Sequence, residues 1–324
     1  MLRDLPLDAD ELYSFVKKLF GTYNEVPYHN LWHAFSVFQG CYWLMTKTDA
    51  GNYFTKMEKF SMLTAALGHD AAHDGINSSF HIACQSEYAH LYNDHAPLEN
   101  THARTMFDVM RDEDCNIFKH FHREPRTRVR KMIVDAILAT DMTFHADHVK
   151  QAEAWAEPGH ELTQDADRKE LMELLMHGCD IASAAYPWKE AQRWSRLVTI
   201  EFQAQVERED AKLLPVSSFM DTRKGQDKMS AKDIERSFAT NQANFLGFVL
   251  RPYFECLMLV VPEWETVLDE ASTNEANWRK VAAGKMKLDA IGEVDVERIG
   301  WSKNVGMEAL KSQPQLLRPC TLFD

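Results

Sequence analysis

Leu67-Gly68-His69-Asp70-Ala71-Ala72-His73-Asp74-Gly75 joins an apolar run to a cluster of potential metal donors. His69 and His73 stand four residues apart, with Asp70 directly after the first. Residues at i and i+4 share a face of an α-helix, so this spacing predicts two imidazoles and a carboxylate pointing the same way. Met62, Leu63, Ala65, Ala66 and Leu67 precede them almost without charge. The expectation is a buried helix that ends in its ligands. Two neutral imidazoles and a carboxylate suit a divalent cation, and all three are candidate ligands of one ion.

Helical periodicity continues outward in both directions. Pro27 suits the first position of a helix, and Tyr28-His29-Asn30-Leu31-Trp32-His33-Ala34 places a second i, i+4 histidine pair on it. Val37, Phe38, Cys41, Tyr42, Leu44 and Met45 continue that helix as core positions. Residues 8–20 form a short amphipathic helix, which Asp8 or Asp10 can cap and Gly21 can end. Downstream, Asn77 starts a helix through Leu91, Asn93-Asp94 turns the chain, and Pro97 opens another helix through Met110. Residues 126–140, 171–179, 189–210, 234–250, 252–261 and 263–281 read as further helices. Residues 157–168 read as a polar loop and 215–232 as a mobile loop, apart from apolar Phe219 and Met220. The tail from Gly284 has mixed periodicity. Strand alternation is scarce, and hairpin signals, repeats and low-complexity linkers are missing. The expected fold is all-α, one compact domain over residues 1–324.

Bulk properties narrow the function classes. A chain of 324 residues, 45% hydrophobic and 26% charged, has the make-up of an ordinary soluble protein with a sizeable core. A net charge of -13 argues against a nucleic-acid polymer or an anionic membrane surface as partner. An anionic substrate stays open, because a metal cluster reverses the local field. Cys41, Cys84, Cys115, Cys179, Cys256 and Cys320 lie far apart with no Cys-x-x-Cys pair. That excludes zinc-ribbon and thioredoxin-like readings and predicts reduced thiols in a cytoplasmic chain. The N-terminus is acidic and lacks the apolar centre of a signal peptide. No run approaches the roughly 20 apolar residues of a membrane span.

Eight of the 14 histidines fall between residues 29 and 102. No cysteine falls in the two histidine motifs, and mixed imidazole and carboxylate with open positions suits Zn, Mg, Mn or Fe. Asp70 has two oxygens and could bridge two cations. A pair about 3.5–4 Å apart would hold a hydroxide and a phosphoryl oxygen together, a geometry that hydrolyses phosphate esters.

Seven motifs now line up. Tyr28-His29-Asn30-x-x-His33-Ala34, His69-Asp70-x-x-His73-x-Gly75-x-x-Ser78, Leu98-Glu99-Asn100, Ala139-Thr140-Asp141-Met142 and His177-Gly178-Cys179-Asp180 are followed by Glu201-Phe202-x-x-Gln205 and Gln242-x-x-Phe245. In order and spacing, over roughly residues 10–270, the chain resembles the class I 3′,5′-cyclic nucleotide phosphodiesterases. The resemblance implies about sixteen helices in three subdomains around a pocket with a binuclear metal site. It implies a tightly held Zn2+ on His33, His69, Asp70 and Asp180, and a second cation, Mg2+ or Mn2+, reached by Asp70 and otherwise held by waters. His73, Glu99 and Thr140 would orient those waters, so His73 is moved off the metal itself. A hydroxide bridging the metals would attack phosphorus, and His29 would be the general acid that protonates O3′.

The same resemblance implies that Gln242 hydrogen-bonds the purine and Phe245 stacks on it, opposite Ile181, Val198 and Phe202. Met220, with Phe219, would close part of the pocket, and Tyr28 and Ser183 would line it. The implied reaction opens cAMP to 5′-AMP, with cGMP permitted as a second substrate, and so ends a cyclic-nucleotide signal. Some positions depart from the family pattern. Ser183 and Ala184 stand where cAMP-selective members often have Asn and Pro, which permits dual use. Gln205-Val206-Glu207 replaces Gln-Gly-Asp, Asp74 replaces a small or hydrophobic residue, and residues 280–324 form an extension without a counterpart. The family's regulatory domains are not visible, as expected of a catalytic portion. Two rival classes remain: a cyclic-nucleotide sensor on a decayed enzyme fold, which the intact ligand set argues against, and another helical metal phosphohydrolase, which Gln242 and Phe245 argue against.

Overall fold

The computed structural model describes residues 4–156, 165–222 and 230–288, and within them all regular structure is helical, as the periodicity predicts. In chain order the α-helices are α1 (Ala9–Phe20), α2 (Leu31–Lys47), α3 (Lys56–Gly68), α4 (Ser78–Ala83), α5 (Glu87–Tyr92), α6 (Pro97–Val109), α7 (Arg123–Leu138), α8 (His145–Ala156), α9 (Asp165–Asp180), α10 (Trp188–Ala211), α11 (Ala231–Phe245), α12 (Arg251–Val260) and α13 (Glu265–Ala282). Residues 157–164 and 223–229, parts of the two expected loops, and nearly all of the 280–324 extension lie outside the described residues.

Helix α3 is the buried centre. Thr55 starts it with a capping box: its hydroxyl accepts from Glu58 N, and Glu58 Oε2 accepts from Thr55 N at 2.7 Å. Glu58 also takes Arg168 Nε at 3.1 Å, which ties the start of α3 to α9. Phe60, Met62, Leu63, Ala65 and Ala66 are buried, and α2, α7 and α9 pack around them. Each large side chain contributes roughly 1.5–3 kcal/mol of burial energy. At the ligand end, a Cβ on Gly68 would lie 2.6 Å from Met106 Sδ, so the Met106 side chain of α6 fills the space that a larger residue there would need.

Local cues place most boundaries. Asp8 caps α1 and Gly21 ends it, Asn77 caps α4, and Pro97 sits in the first turn of α6. Asn93 and Asp94 adopt positive φ of 52° and 64°, where they turn the chain. The expected helix from Asn77 to Leu91 is two helices, because the chain reverses at Gln85 with φ 51°. Helix α8 was not foreseen. Its His145 donates from Nε2 to Val249 O at 3.3 Å and accepts from His177 Nε2 at 2.9 Å, fixing the end of α9.

Pro252 predicts a break between two helices, yet 231–260 is one 30-residue helix. Proline cannot donate to the carbonyl four residues back. The chain absorbs this with a π turn at Leu246–Leu250, directly after Phe245. By length and composition this helix is long and apolar enough to cross a bilayer, its most apolar stretch reaching mean hydropathy 1.3, although Arg251 and Glu255 interrupt any unbroken apolar run. Its apolar side is used internally instead, since Ala239, Ala243, Leu246, Leu250, Tyr253, Phe254 and Leu257 all lie in the core.

Candidate metal and acid site

Four donors from three chain segments meet where α2 begins and where α3 and α9 end. Asn30 caps α2 by accepting from Trp32 N at 2.8 Å, so the helix starts at Leu31 and not at Pro27. His33 therefore lies in the first turn of α2, while Tyr28 and His29 precede the helix. His69 ends α3 as its C-cap residue, and Asp70 follows in a turn. Asp180 is the last residue of α9. The approaches are His33 Nε2–Asp180 Oδ1 2.8 Å, His69 Nε2–Asp180 Oδ1 3.1 Å, His69 Nε2–Asp70 Oδ2 3.3 Å and His33 Nε2–Asp70 Oδ2 3.4 Å.

The chemistry of this set fits a divalent cation. His69 Nδ1 donates to Ala66 O at 3.0 Å, which turns Nε2 toward the cluster. His33 Nε2 faces His69 Nε2 at 3.3 Å. Asp70 Oδ2 is buried with no hydrogen-bond partner. Burial opposes charge on His69, but Asp70 and Asp180 hold its pKa well above the ordinary histidine value. Burial pushes both carboxyls up, and the neighbouring His69 overrides it and holds both below the usual range. The carboxylates thus require positive charge between them, and a cation held by two imidazoles and two carboxylates supplies it.

The i, i+4 reading of both histidine pairs is corrected here. His73 does not continue α3: Ala72 at φ 64° and Gly75 at φ 77° fold the chain back. The ring of His73 instead stacks between His29, at 4.1 Å, and His102, at 5.3 Å. Gly75 N donates to His73 Nδ1 at 3.0 Å, which leaves the ring proton on Nε2. Burial, and then His29, lower its pKa to about 3, so it is neutral. His102 donates from Nδ1 to Ala71 O at 2.7 Å and brings Nε2 within 3.9 Å of Asp70 Oδ1. Sequence reasoning passed over His102; the crowding of histidines in this region was the one available signal.

Glu201, which the sequence presents only as part of a motif, is central to the site. It is 3% exposed on α10. Its Oε2 accepts from Tyr28 N at 2.9 Å and His29 N at 3.2 Å, while Oε1 pairs with His29 Nδ1. Burial alone would lower the His29 pKa, but the Glu201 carboxylate raises it to about 9. In return, burial pushes Glu201 up and His29 more than reverses this, leaving it at about 2. The His29 side chain stays 26% exposed, so the imidazole keeps contact with solvent.

Glu99 is partly buried and accepts from Ser78 Oγ at 3.2 Å; burial, then Asp141, push its pKa up to about 8. Thr140 is buried and donates to Ile137 O at 2.8 Å. Tyr28 is buried with its hydroxyl 2.8 Å from Ser183 Oγ. Ile181 and Ser183 lie on the 3-10 turn that follows Asp180. Val198 and Phe202 are half-buried on α10, Met220 is buried, and Gln242 and Phe245 are half-buried on α11. Among the described residues no hydrogen bond or ring contact joins Gln242 or Phe245 to the donor cluster. Nor does any hydrogen bond engage the Gln242 side-chain amide there. The unexplained Asp74 now has a partner: Oδ1 lies 3.3 Å from His81 Nε2, and His81 Nδ1 is 3.1 Å from Ser86 Oγ, the cap of α5.

The model of the 3′5′-cyclic nucleotide phosphodiesterase family matches residues 28–271. The chain belongs to that family. It is 32% identical over 248 residues to the probable 3′,5′-cyclic phosphodiesterase pde-1 of Caenorhabditis elegans, covering 76% of this chain and 35% of that protein. It is 34% identical over 257 residues to the high affinity cGMP-specific 3′,5′-cyclic phosphodiesterase 9A of Drosophila melanogaster, covering 79% of this chain and 16% of that one. The chain thus spans well under half the length of these relatives. Among solved structures, the phosphodiesterase domain of Salpingoeca rosetta rhodopsin phosphodiesterase matches with a TM-score of 0.80 at 30% identity, over 87% of this chain and 84% of that one. The structure of LmjPDEB1 in complex with IBMX matches with a TM-score of 0.76 at 26% identity, over 85% and 80%.

Proposed function

We propose that this chain hydrolyses 3′,5′-cyclic purine nucleotides, cAMP and cGMP alike, to nucleoside 5′-monophosphates. The observation that carries this reading is a charged His29, paired with buried Glu201, beside a four-donor cation cluster. His33, His69, Asp70 and Asp180 would hold Zn2+, and Asp70 would extend to Mg2+ or Mn2+. Bound there, the cations supply Lewis acidity to a phosphoryl oxygen. A water oxygen bonds to phosphorus, and His29 gives its Nε2 proton to O3′ as the P–O3′ bond breaks, while its Nδ1 remains on Glu201. His73, with its proton on Nε2, and Glu99 and Thr140 orient water at the second cation.

Phe245 stacks on the purine and Gln242 reads its edge, with Ile181, Val198 and Phe202 opposite and Met220 and Tyr28 closing the sides. The Gln242 side chain carries both a donor and an acceptor, which supports pairing with either purine edge. The Ser183 hydroxyl is engaged by Tyr28. The free thiols of Cys41, Cys84, Cys115, Cys179 and Cys256 support a cytoplasmic setting.

Purified protein with Mg2+ or Mn2+ should convert cAMP to 5′-AMP, and cGMP should compete as an alternative substrate. His33→Ala, Asp70→Ala and Asp180→Ala should each abolish turnover. Full activity in metal-depleted Asp70→Ala protein would sink the assignment.

A further inference from the structure

Helix α10 carries Glu201, Gln205 and Glu209 in one row, at i, i+4 and i+8, exposed by only 3%, 2% and 2%. Each grips a different loop. Glu201 holds the Tyr28–His29 backbone and the His29 ring. Gln205 holds Asn77: Oε1 accepts from Asn77 N at 2.9 Å, and Nε2 donates to Asn77 Oδ1 at 3.1 Å. Asn77 caps α4, two residues after Gly75 closes the His69–His73 loop. Glu209 holds Ser217: Oε2 accepts from Ser217 N at 2.7 Å, and Oε1 accepts from Ser217 Oγ at 2.7 Å. Gln205 Nε2 also donates to Glu209 Oε1 at 2.8 Å, so the row is linked within itself.

Burying a carboxylate is costly unless hydrogen bonds replace its water. Glu209 has three such donors, and among the described residues no cation pairs with it. An apolar side chain at this position would bury at lower cost but could not hold the Ser217 amide. The same helix grips the far end of that segment, where the Gln203 amide donates to Met220 O and Phe202 meets the Phe219 ring edge-on at 6.0 Å. Residues 217–220 are therefore docked on α10 at both ends, and Met220 is buried as a result.

We propose that Glu209 is a positioning residue for nucleotide affinity. It fixes the 217–220 segment as the Met220 wall of the pocket and, through Gln205, ties that wall to the loop carrying the metal donors. This rests on the hydrolase reading above. The row divides the labour. Glu201 sets the acid, so losing Glu209 leaves the His29 proton and the donor cluster in place and loosens only the wall.

The test measures kcat and KM for cAMP with Mg2+, together with amide hydrogen exchange of residues 217–220 in the protein without nucleotide. Glu209→Ala should raise KM about tenfold with kcat within about twofold, and the Ser217 amide should exchange faster. Glu209→Gln keeps an acceptor for that amide and should recover most of the affinity. Ser217→Ala, at a half-buried loop position that does not threaten folding, should raise KM about threefold and add nothing on top of Glu209→Ala. Unchanged exchange at 217–220, or a fall in kcat with KM unchanged, would overturn the proposal. A wild-type protein that turns over neither cyclic nucleotide would refute the hydrolase reading alone, and the exchange measurement would still decide the tie to Glu209.

Discussion

Replacing Glu201 by Gln isolates what holds the acid charged. In the folded protein His29 has a pKa of about 9 against an ordinary 6.5, although burial works in the opposite direction. That difference corresponds to about 3 kcal/mol favouring the imidazolium. Glu201 is its largest support; Asp70 and Asp180 add to it, and cations bound on those two carboxylates offset their share. Without the Glu201 charge, burial prevails and the His29 pKa should fall below 6.5. A general acid works only while protonated, so activity is lost as pH rises through its pKa. The wild-type profile of kcat should hold through neutral pH and decline at a clearly higher pH than that of Glu201→Gln, which should decline below pH 6.5. At pH 7.5 the variant should lose about 10²-fold in kcat, the lower end of what a positioned acid contributes. Metal content per chain, measured in parallel, should not change. A profile for Glu201→Gln that declines at the same pH as wild type, or a loss of activity tracking loss of metal, would refute this reasoning.

The same pair makes a stability prediction with a fixed sign. The His29 pKa is raised on folding, so its contribution is full below 6.5 and disappears as pH rises through about 9; that of Glu201 is lowered, so its contribution is full above 4.5 and disappears as pH falls toward about 2. Urea titrations across pH should show both losses in wild type and neither in the Glu201→Gln, His29→Ala double variant. Gly68→Val should destabilise by about 1–3 kcal/mol through its clash with Met106, read as a fall in Tm, and Met106→Ala should restore part of it. Chelation should lower Tm because the buried carboxylates Asp70 and Asp180 lose their counter-charge, and adding Zn2+ back should reverse it; a Tm indifferent to chelator would contradict a structural load on that cluster.

Helix content and most helix ends are local properties, and they were legible in the order of residues. Asp8, Thr55, Asn77 and Pro97 act within one turn of where they stand, and the buried stripe of α3 follows from its apolar run. Local rules misled where two local signals competed. Asn30 outranked Pro27 as a start signal because its side chain accepts from the first free amides, and that removed His29 from the helix bearing His33. The π turn before Pro252 kept one long helix where proline alone predicts two. His69 and His73 have a helical spacing that the chain does not use, since positive φ at Ala72 turns it away.

By itself, the sequence determined the class of fold and the types and order of donors, because periodicity, caps and motif spacing act over a few residues. Only the tertiary structure decided that Asp180 meets His33 across 147 positions, that Glu201 charges His29 across 172, and that one face of α10 holds three separate loops. Those pairings depend on how buried helices cross, and no local spacing encodes a crossing.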